Sequence, residues 1–324
     1  MLKTGLCIVL FALAAGCAPA QKPLTDYVNP MLGTATLWDS VDLGFKPTKR
    51  TWGAEVFPGS ALPNAMVQVS PVTKFHSGAG YQYEDSVIYG FTHTNKGHWN
   101  LCHIPLLPVT GTPTPGDYCS PFSHERESAA PGYYQVFLDR YGVDAQLSST
   151  LRCAFHKYTY PAGAAASLLA DLQRSNEHVR AWDIRKEGDN VFAGWQQTGE
   201  KMYFYAVANR PVTGIEPVVE GDREVRIVRF GEGDGALELR IGFSFVSEKN
   251  ARENLEAEML GKSFAEVRSE ATATWNDLLG RIRVEGGTER EKGLFYSSLY
   301  RSFLWPALRS DVNGEFTDVD GKVI

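Results

Sequence analysis

The sequence predicts a mainly β protein: a large antiparallel β-sandwich followed by helices. Three observations carry that expectation. Val143, Ala145 and Leu147 alternate with Asp144, Gln146 and Ser148, a period of two. Met202–Val207 and Glu238–Val246 are rich in aromatic and β-branched residues. Turn signals such as Gly188-Asp189-Asn190 and the run Gly231–Gly235 separate such segments from about Asp26 to Ser247, with no long helical pattern among them. Strands of this kind bury one face against a second sheet.

The N-terminal end reads as processing signal rather than fold. Lys3 supplies a positive region, Leu6–Leu13 is an apolar run, and Ala14-Ala15-Gly16-Cys17 follows. The run is too short to span a bilayer. Residues 1–20 are therefore assigned as a signal peptide with a lipobox, in which Cys17 is acylated and becomes the new N-terminus. Each buried methylene of an acyl chain contributes about 0.8 kcal/mol. Ala14 stands where leucine is preferred, and a plain secretory signal is the alternative. Either way the expected location is a bacterial envelope, the periplasm or an outer-membrane anchor.

Residues 21–248 then form the sandwich domain, and residues 249–324 a helical part. Phe264, Val267, Ala271, Trp275 and Leu278 recur at helical spacing, so a first helix ends near Leu279. Arg281–Glu285 reads as a short strand. Thr288 and Glu291 make a capping box, opening a second helix whose apolar face is Phe295, Leu299 and Phe303, with Pro306 near its end. Asn313-Gly314 and Asp320-Gly321 are turns of a small hairpin.

Composition narrows the function. A net charge of −6 argues against a nucleic-acid backbone as partner. Hydrophobic content of 43% and charged content of 22% are those of an ordinary globular protein. Cys102, Cys119 and Cys153 have no CxxC spacing, which supports neither a disulfide framework nor a zinc site, although one disulfide is allowed. Cys102, ahead of Ile104–Leu107, reads as a buried small hydrophobe.

The chemistry sits in a block rich in glycine and aromatic residues. Phe57-Pro58-Gly59-Ser60-Ala61-Leu62-Pro63 is followed by Gly90-Phe91-Thr92-His93-Thr94 and Gly97-His98-Trp99-Asn100. Flat rings can stack on a pyranose while short polar groups hold its hydroxyls. Trp99 and His98, with Asn100 beside them, are the first candidates for sugar contact; the competing reading has Trp99 filling the core. Trp52, with Phe57 and Pro58, is a second stacking candidate. Gly33 can let backbone approach a ligand, with Thr34 next to it. His93 is a polar contact, or else a hydrogen-bonded structural histidine.

No carboxylate pair suits glycoside hydrolysis, which needs two acids flanking the bond. Glu84-Asp85 are strand neighbours pointing to opposite faces, and Glu125 with Glu127 reads as solvated. Asp311–Gly314 and Asp318–Gly321 lack the ligand order of a calcium loop, and the Gly231 run has no lysine to make a phosphate cradle.

These blocks, with Phe122-Ser123-His124-Glu125, Pro131-Gly132-Tyr133-Tyr134 and Gly286-Gly287-Thr288-Glu289, agree in order and spacing with one family. From about Asp26 to its last residue the chain resembles the bacterial exo-α-mannosidases of glycoside hydrolase family 92. Gly97–Asn100 resembles a subset of members. The resemblance implies that the helices open an (α/α)6 barrel of about 200 residues, so the chain reads as the N-terminal part of such an enzyme. It implies a calcium-dependent, inverting, α-1,2-type exo-mannosidase acting on mannose of N-glycans or mannan. It also implies that acid, base and calcium ligands lie downstream of Ile324. The alternatives are a non-catalytic carbohydrate-binding envelope lipoprotein or truncated remnant, and another sandwich-plus-barrel enzyme such as a phosphorylase.

Overall fold

A computed structural model describes residues 22–37, 44–46, 53–95 and 101–324. The expectations for Cys17, Trp52, His98, Trp99 and Asn100 fall outside the described residues.

Two antiparallel sheets face each other, as the alternation predicts. The seven-stranded sheet runs, in spatial order, Ser60–Ala61, Gln68–Val72, Gly90–Thr92, Leu106–Val109, Ser167–Ala170, Arg223–Phe230, Val212–Glu220. The eight-stranded sheet runs Ala181–Gly188, Val191–Gln197, Lys201–Ala208, Leu237–Ser244, Cys153–Thr159, Val143–Ser149, Tyr133–Leu138, Glu127–Ala130. Alternation decides the register: Met202, Phe204, Ala206 and Ala208 point inward while Lys201, Tyr203, Tyr205 and Val207 point outward. Between the sheets Phe91, Tyr158, Phe192, Phe204, Leu239 and Phe243 are buried, each worth about 1.5–3 kcal/mol of apolar burial.

The outer face of the larger sheet carries a second core. Tyr133, Cys153 and Phe155 pack against Leu255, Met259, Phe264 and Val267. The first helix there, α1 (Glu248–Glu258), opens the part expected to be helical but was not placed as a separate element from the sequence. Its buried face is Asn250, Ala251, Asn254 and Leu255, half of it polar, so no apolar stripe marks it. Asn250 and Asn254 instead donate to the Asp311 carboxylate at 2.9 and 2.7 Å. Ser247 caps its start.

The next helix, α2 (Phe264–Leu279), opens on a capping box of Ser263 and Glu266. It buries Phe264, Val267, Ala271, Trp275 and Leu279; the last of these replaces the expected Leu278. Helix α3 (Glu289–Ser302) has the predicted Thr288–Glu291 capping box but a different inner face. Tyr296, Ser297 and Tyr300 are buried, whereas Phe295 is 36% exposed. Aromatic contacts account for the rotation, since Tyr300 packs on Trp275 and Tyr296 on Tyr27. Arg281–Glu285 is not a strand; Val284 N donates to the Tyr296 hydroxyl instead.

The chain then straps back across the sandwich. Asn64 N donates to Phe303 O, Leu308 N to Asn64 O, and Arg152 Nε to Ser310 O. Both expected turns form, closed by Gly314 N to Asp311 O and Gly321 N to Asp318 O. Cys102, Cys119 and Cys153 are free thiols, so the allowed disulfide is absent among them. No described helix is long and apolar enough to cross a membrane.

Candidate functional site

Asn95 and Leu101 flank the candidates His98, Trp99 and Asn100 in sequence, and both flanks are fixed in a buried polar cluster. Asn95 Nδ2 donates to Gln68 O at 2.8 Å and to Thr92 O at 2.9 Å. His103 N donates to Thr94 Oγ1, whose hydroxyl meets His103 Nδ1 at 3.1 Å. His103 Nε2 reaches Thr198 Oγ1 at 3.0 Å, and Ile104 N donates to Gln196 Oε1 at 2.8 Å. Gln68 belongs to one sheet and Gln196 to the other, so the flanks join the two layers. Such polar groups are costly in a core unless each is paired.

His93 does not reach a ligand surface. Its side chain is fully buried, its Nε2 lies 3.0 Å from His156 Nε2, and its ring packs on Phe243. Burial pushes its pKa down to about 3, so the ring is neutral. The expected sugar contact is thus corrected to the structural alternative. Phe57 is 3% exposed, so it offers no stacking face to a sugar.

Gly33 and Thr34 build a backbone junction. Thr34 Oγ1 donates to Met31 O at 2.8 Å, and Gly33 O accepts from Ala54 N at 2.9 Å. Gly33 has φ +88°, and a Cβ there would lie 2.9 Å from Ala54 Cβ and 3.2 Å from Arg301 Nη1. A Cβ on Gly53 would lie 2.2 Å from Ala35 O. The close approach that requires glycine is therefore to protein: strand entry meets α3 here, through Arg301.

A line of contacts links this junction to the Leu101 flank. Glu55 abuts Gly78. Next to it, Asn176 takes His76 N at 2.7 Å and gives its Nδ2 to Ser77 O at 3.2 Å. Asn176 N and Ser175 Oγ both donate to Leu101 O. Gly33 and Thr34, far from Leu101 in sequence, so share one end of the sandwich with it.

Sequence reasoning missed Glu127. Its side chain is 1% exposed and is not solvated. Tyr81 OH donates to it at 3.0 Å, Tyr134 OH at 2.5 Å, and His124 Nδ1 lies 2.6 Å away. His124 stacks on Tyr83 with ring centres 3.9 Å apart, its Nε2 on Tyr83 O. Burial and the carboxylate raise the pKa of both tyrosines, keeping their hydroxyls as donors. The motifs Phe122–Glu125 and Pro131–Tyr134 therefore converge on one carboxylate. The signal was present as an acidic residue beside a conspicuous motif.

Calcium has no fitting donor set here: among the described residues, no group of three or more His, Cys, Asp or Glu is arranged to hold a metal ion. Asp311, in one of the suspected loops, is spent on Ser244, Asn250 and Asn254.

The comparisons with known proteins decide the family. A model of the glycosyl hydrolase family 92 N-terminal domain matches residues 27–254, and one of the family 92 catalytic domain matches residues 250–324. The chain belongs to glycosyl hydrolase family 92. Two solved family 92 structures from Bacteroides thetaiotaomicron are similar throughout. An α-mannosidase has TM-score 0.83 and 25% identity over 94% of this chain and 44% of its own. An inverting mannosidase has TM-score 0.79 and 25% identity over 94% of this chain and 43% of its own. An uncharacterized secreted glycosidase of Arthroderma benhamiae is 24% identical over 92% of this chain and 43% of its own length. The chain thus spans less than half of each relative. The two family 92 domain matches meet in sequence within α1, while the Gly33 junction brings the start of the first into contact with Arg301 of the second.

Proposed function

We propose that the protein is an exo-acting α-mannosidase of the cell envelope, in which this sandwich forms one wall of the sugar pocket. The observation that supports it is the pairing of both family 92 domain models on one chain with two solved mannosidases of the same fold. The same Bacteroides thetaiotaomicron α-mannosidase is also solved in complex with mannoimidazole, consistent with a mannose-sized site in the family. Trp99 would supply the stacking face, His98 and Asn100 the hydroxyl contacts, on flanks held rigid between two sheets. A rigid mount matters because a positioning error of about 1 Å costs on the order of 100-fold in rate.

Two of the buried carboxylates are engaged within the fold: Glu127 is closed off by two tyrosines, and Asp311 by two asparagines and Ser244. An acid and a base placed across a water, as inversion requires, belong to residues beyond Ile324 in this proposal, as does a calcium site. An α-1,2 preference, N-glycan or mannan substrates and a Cys17 lipid anchor complete it.

The experiment is mannose release from an α-1,2-linked mannobiose by the enzyme carrying this sequence, with and without calcium chelation. Release lost on chelation, and reduced in Trp99→Ala, is the expected result. Glycan binding without any release would favour the carbohydrate-binding reading. Membrane fractionation of Cys17→Ser tests the anchor.

A further inference from the structure

A cleft of about 820 Å³ opens beside the Leu101 flank, walled by Arg174, Arg180, Arg223, His76, Glu177 and Trp182. Its charge runs against that of the chain. Three arginines line it against one carboxylate, Glu177, with Asp171 bound to Arg223 behind the wall, in a protein of net charge −6. The two carboxylates are already engaged. Asp171 Oδ2 accepts from Arg223 Nη2 and from Tyr118 OH, both at 2.6 Å, and Glu177 Oε2 accepts from Gly199 N at 3.1 Å.

The remaining two arginines have no ion pair among the described residues. Arg174 is held in place by aromatic contacts. Its guanidinium lies 4.6 Å from the Phe75 ring centre and 4.8 Å from that of Tyr89, and Nη1 donates to Tyr118 OH at 3.1 Å. Arg180 is exposed at the rim. Trp182 is half-buried against the core, with the Arg226 guanidinium 5.2 Å from its ring centre. An arginine held on ring faces has little freedom left to lose on binding, and its planar fork matches a carboxylate or phosphate in bidentate fashion.

We propose that this cleft binds the acidic group, carboxylate or phosphate, of a charged sugar. Arg174 and Arg180 pair with the anion, and the Trp182 wall meets the sugar ring. The choice of mannose as the probe sugar rests on the mannosidase reading; the requirement for charge does not. Because the overall field of the chain repels anions, attraction comes from the local guanidinium groups and weakens with added salt.

The test is calorimetric titration of the protein with mannose 6-phosphate, glucuronic acid, mannose and inorganic phosphate, at low and high salt. At least one acidic sugar should bind with salt-sensitive affinity, while any mannose binding is insensitive to salt and to Arg180→Gln. Binding of only one acidic sugar assigns the anion as phosphate or carboxylate. Arg180→Gln, at an exposed position that cannot disturb the core, should weaken that binding roughly tenfold, the scale of one charge-assisted bond. Arg174→Lys, keeping the charge without the fork, should also weaken it. Failure of both acidic sugars to bind, or binding that neither salt nor Arg180→Gln changes, overturns the proposal. Inorganic phosphate as tight as mannose 6-phosphate removes the sugar from it. Since the readout is binding, absence of mannose release would sink the mannosidase reading and leave this one standing.

Discussion

His93 Nε2 and His156 Nε2 lie 3.0 Å apart in the centre of the sandwich, so one ring donates and the other accepts. His156 Nδ1 is in turn 2.5 Å from Tyr158 OH. With a single proton between the two nitrogens, both rings cannot be charged at once. Burial lowers the pKa of both, His93 to about 3 and His156 well below its usual value, with the neighbouring ring adding to the second.

Acid lability follows from that pair. An unfolded histidine takes up a proton near pH 6.5, while the folded rings refuse it until about pH 3 for His93. The unfolded state therefore binds more protons across that window, and stability falls as pH drops. Each histidine removes about 1.4 kcal/mol per pH unit below 6.5. Urea midpoints measured from pH 7 to pH 5 should fall accordingly. A flat profile would mean that the rings are not buried and neutral.

Glu127 should be a stability residue. Glu127→Ala leaves two buried tyrosine hydroxyls and His124 Nδ1 without their acceptor. The expected loss is about 3–5 kcal/mol, with Glu127→Gln losing less because one oxygen remains. Chemical denaturation of the two variants checks the order, and an Ala variant as stable as the parent would contradict it.

At the Gly33 junction, Gly53→Ala places a Cβ 2.2 Å from Ala35 O, and backbone must move. About 2–3 kcal/mol of destabilisation is expected. Gly214→Ala is the control, since nothing lies within 4 Å of its Cβ position. Thermal midpoints should separate the two variants clearly.

Trp275 joins helix to sandwich, its Nε1 donating to Ala61 O at 2.8 Å. Trp275→Phe keeps the ring in the α2–α3 interface but orphans that carbonyl, costing about 1–3 kcal/mol. Trp275→Ala adds a cavity and should cost about 3–5 kcal/mol. Equal losses for both would show that the hydrogen bond contributes nothing.

By itself the sequence determined the sandwich, the α2 helix and the Thr288 capping box, because each rests on local pattern. A period of two marks a half-buried strand, a stripe at three and four marks a helix, and a cap needs residues three apart. It also determined the family, through blocks whose order survives in one dimension. Tertiary structure alone decided what long-range partners control. Helix α1 buries asparagines, which is sensible only once Asp311 lies against them. Glu127 is an interior carboxylate because Tyr81, distant by 46 residues, meets it. His93 sits inside because His156 from the opposite sheet completes its hydrogen bond. A polar residue looks the same in sequence whether its partner is water or a buried group, and only the fold supplies the partner.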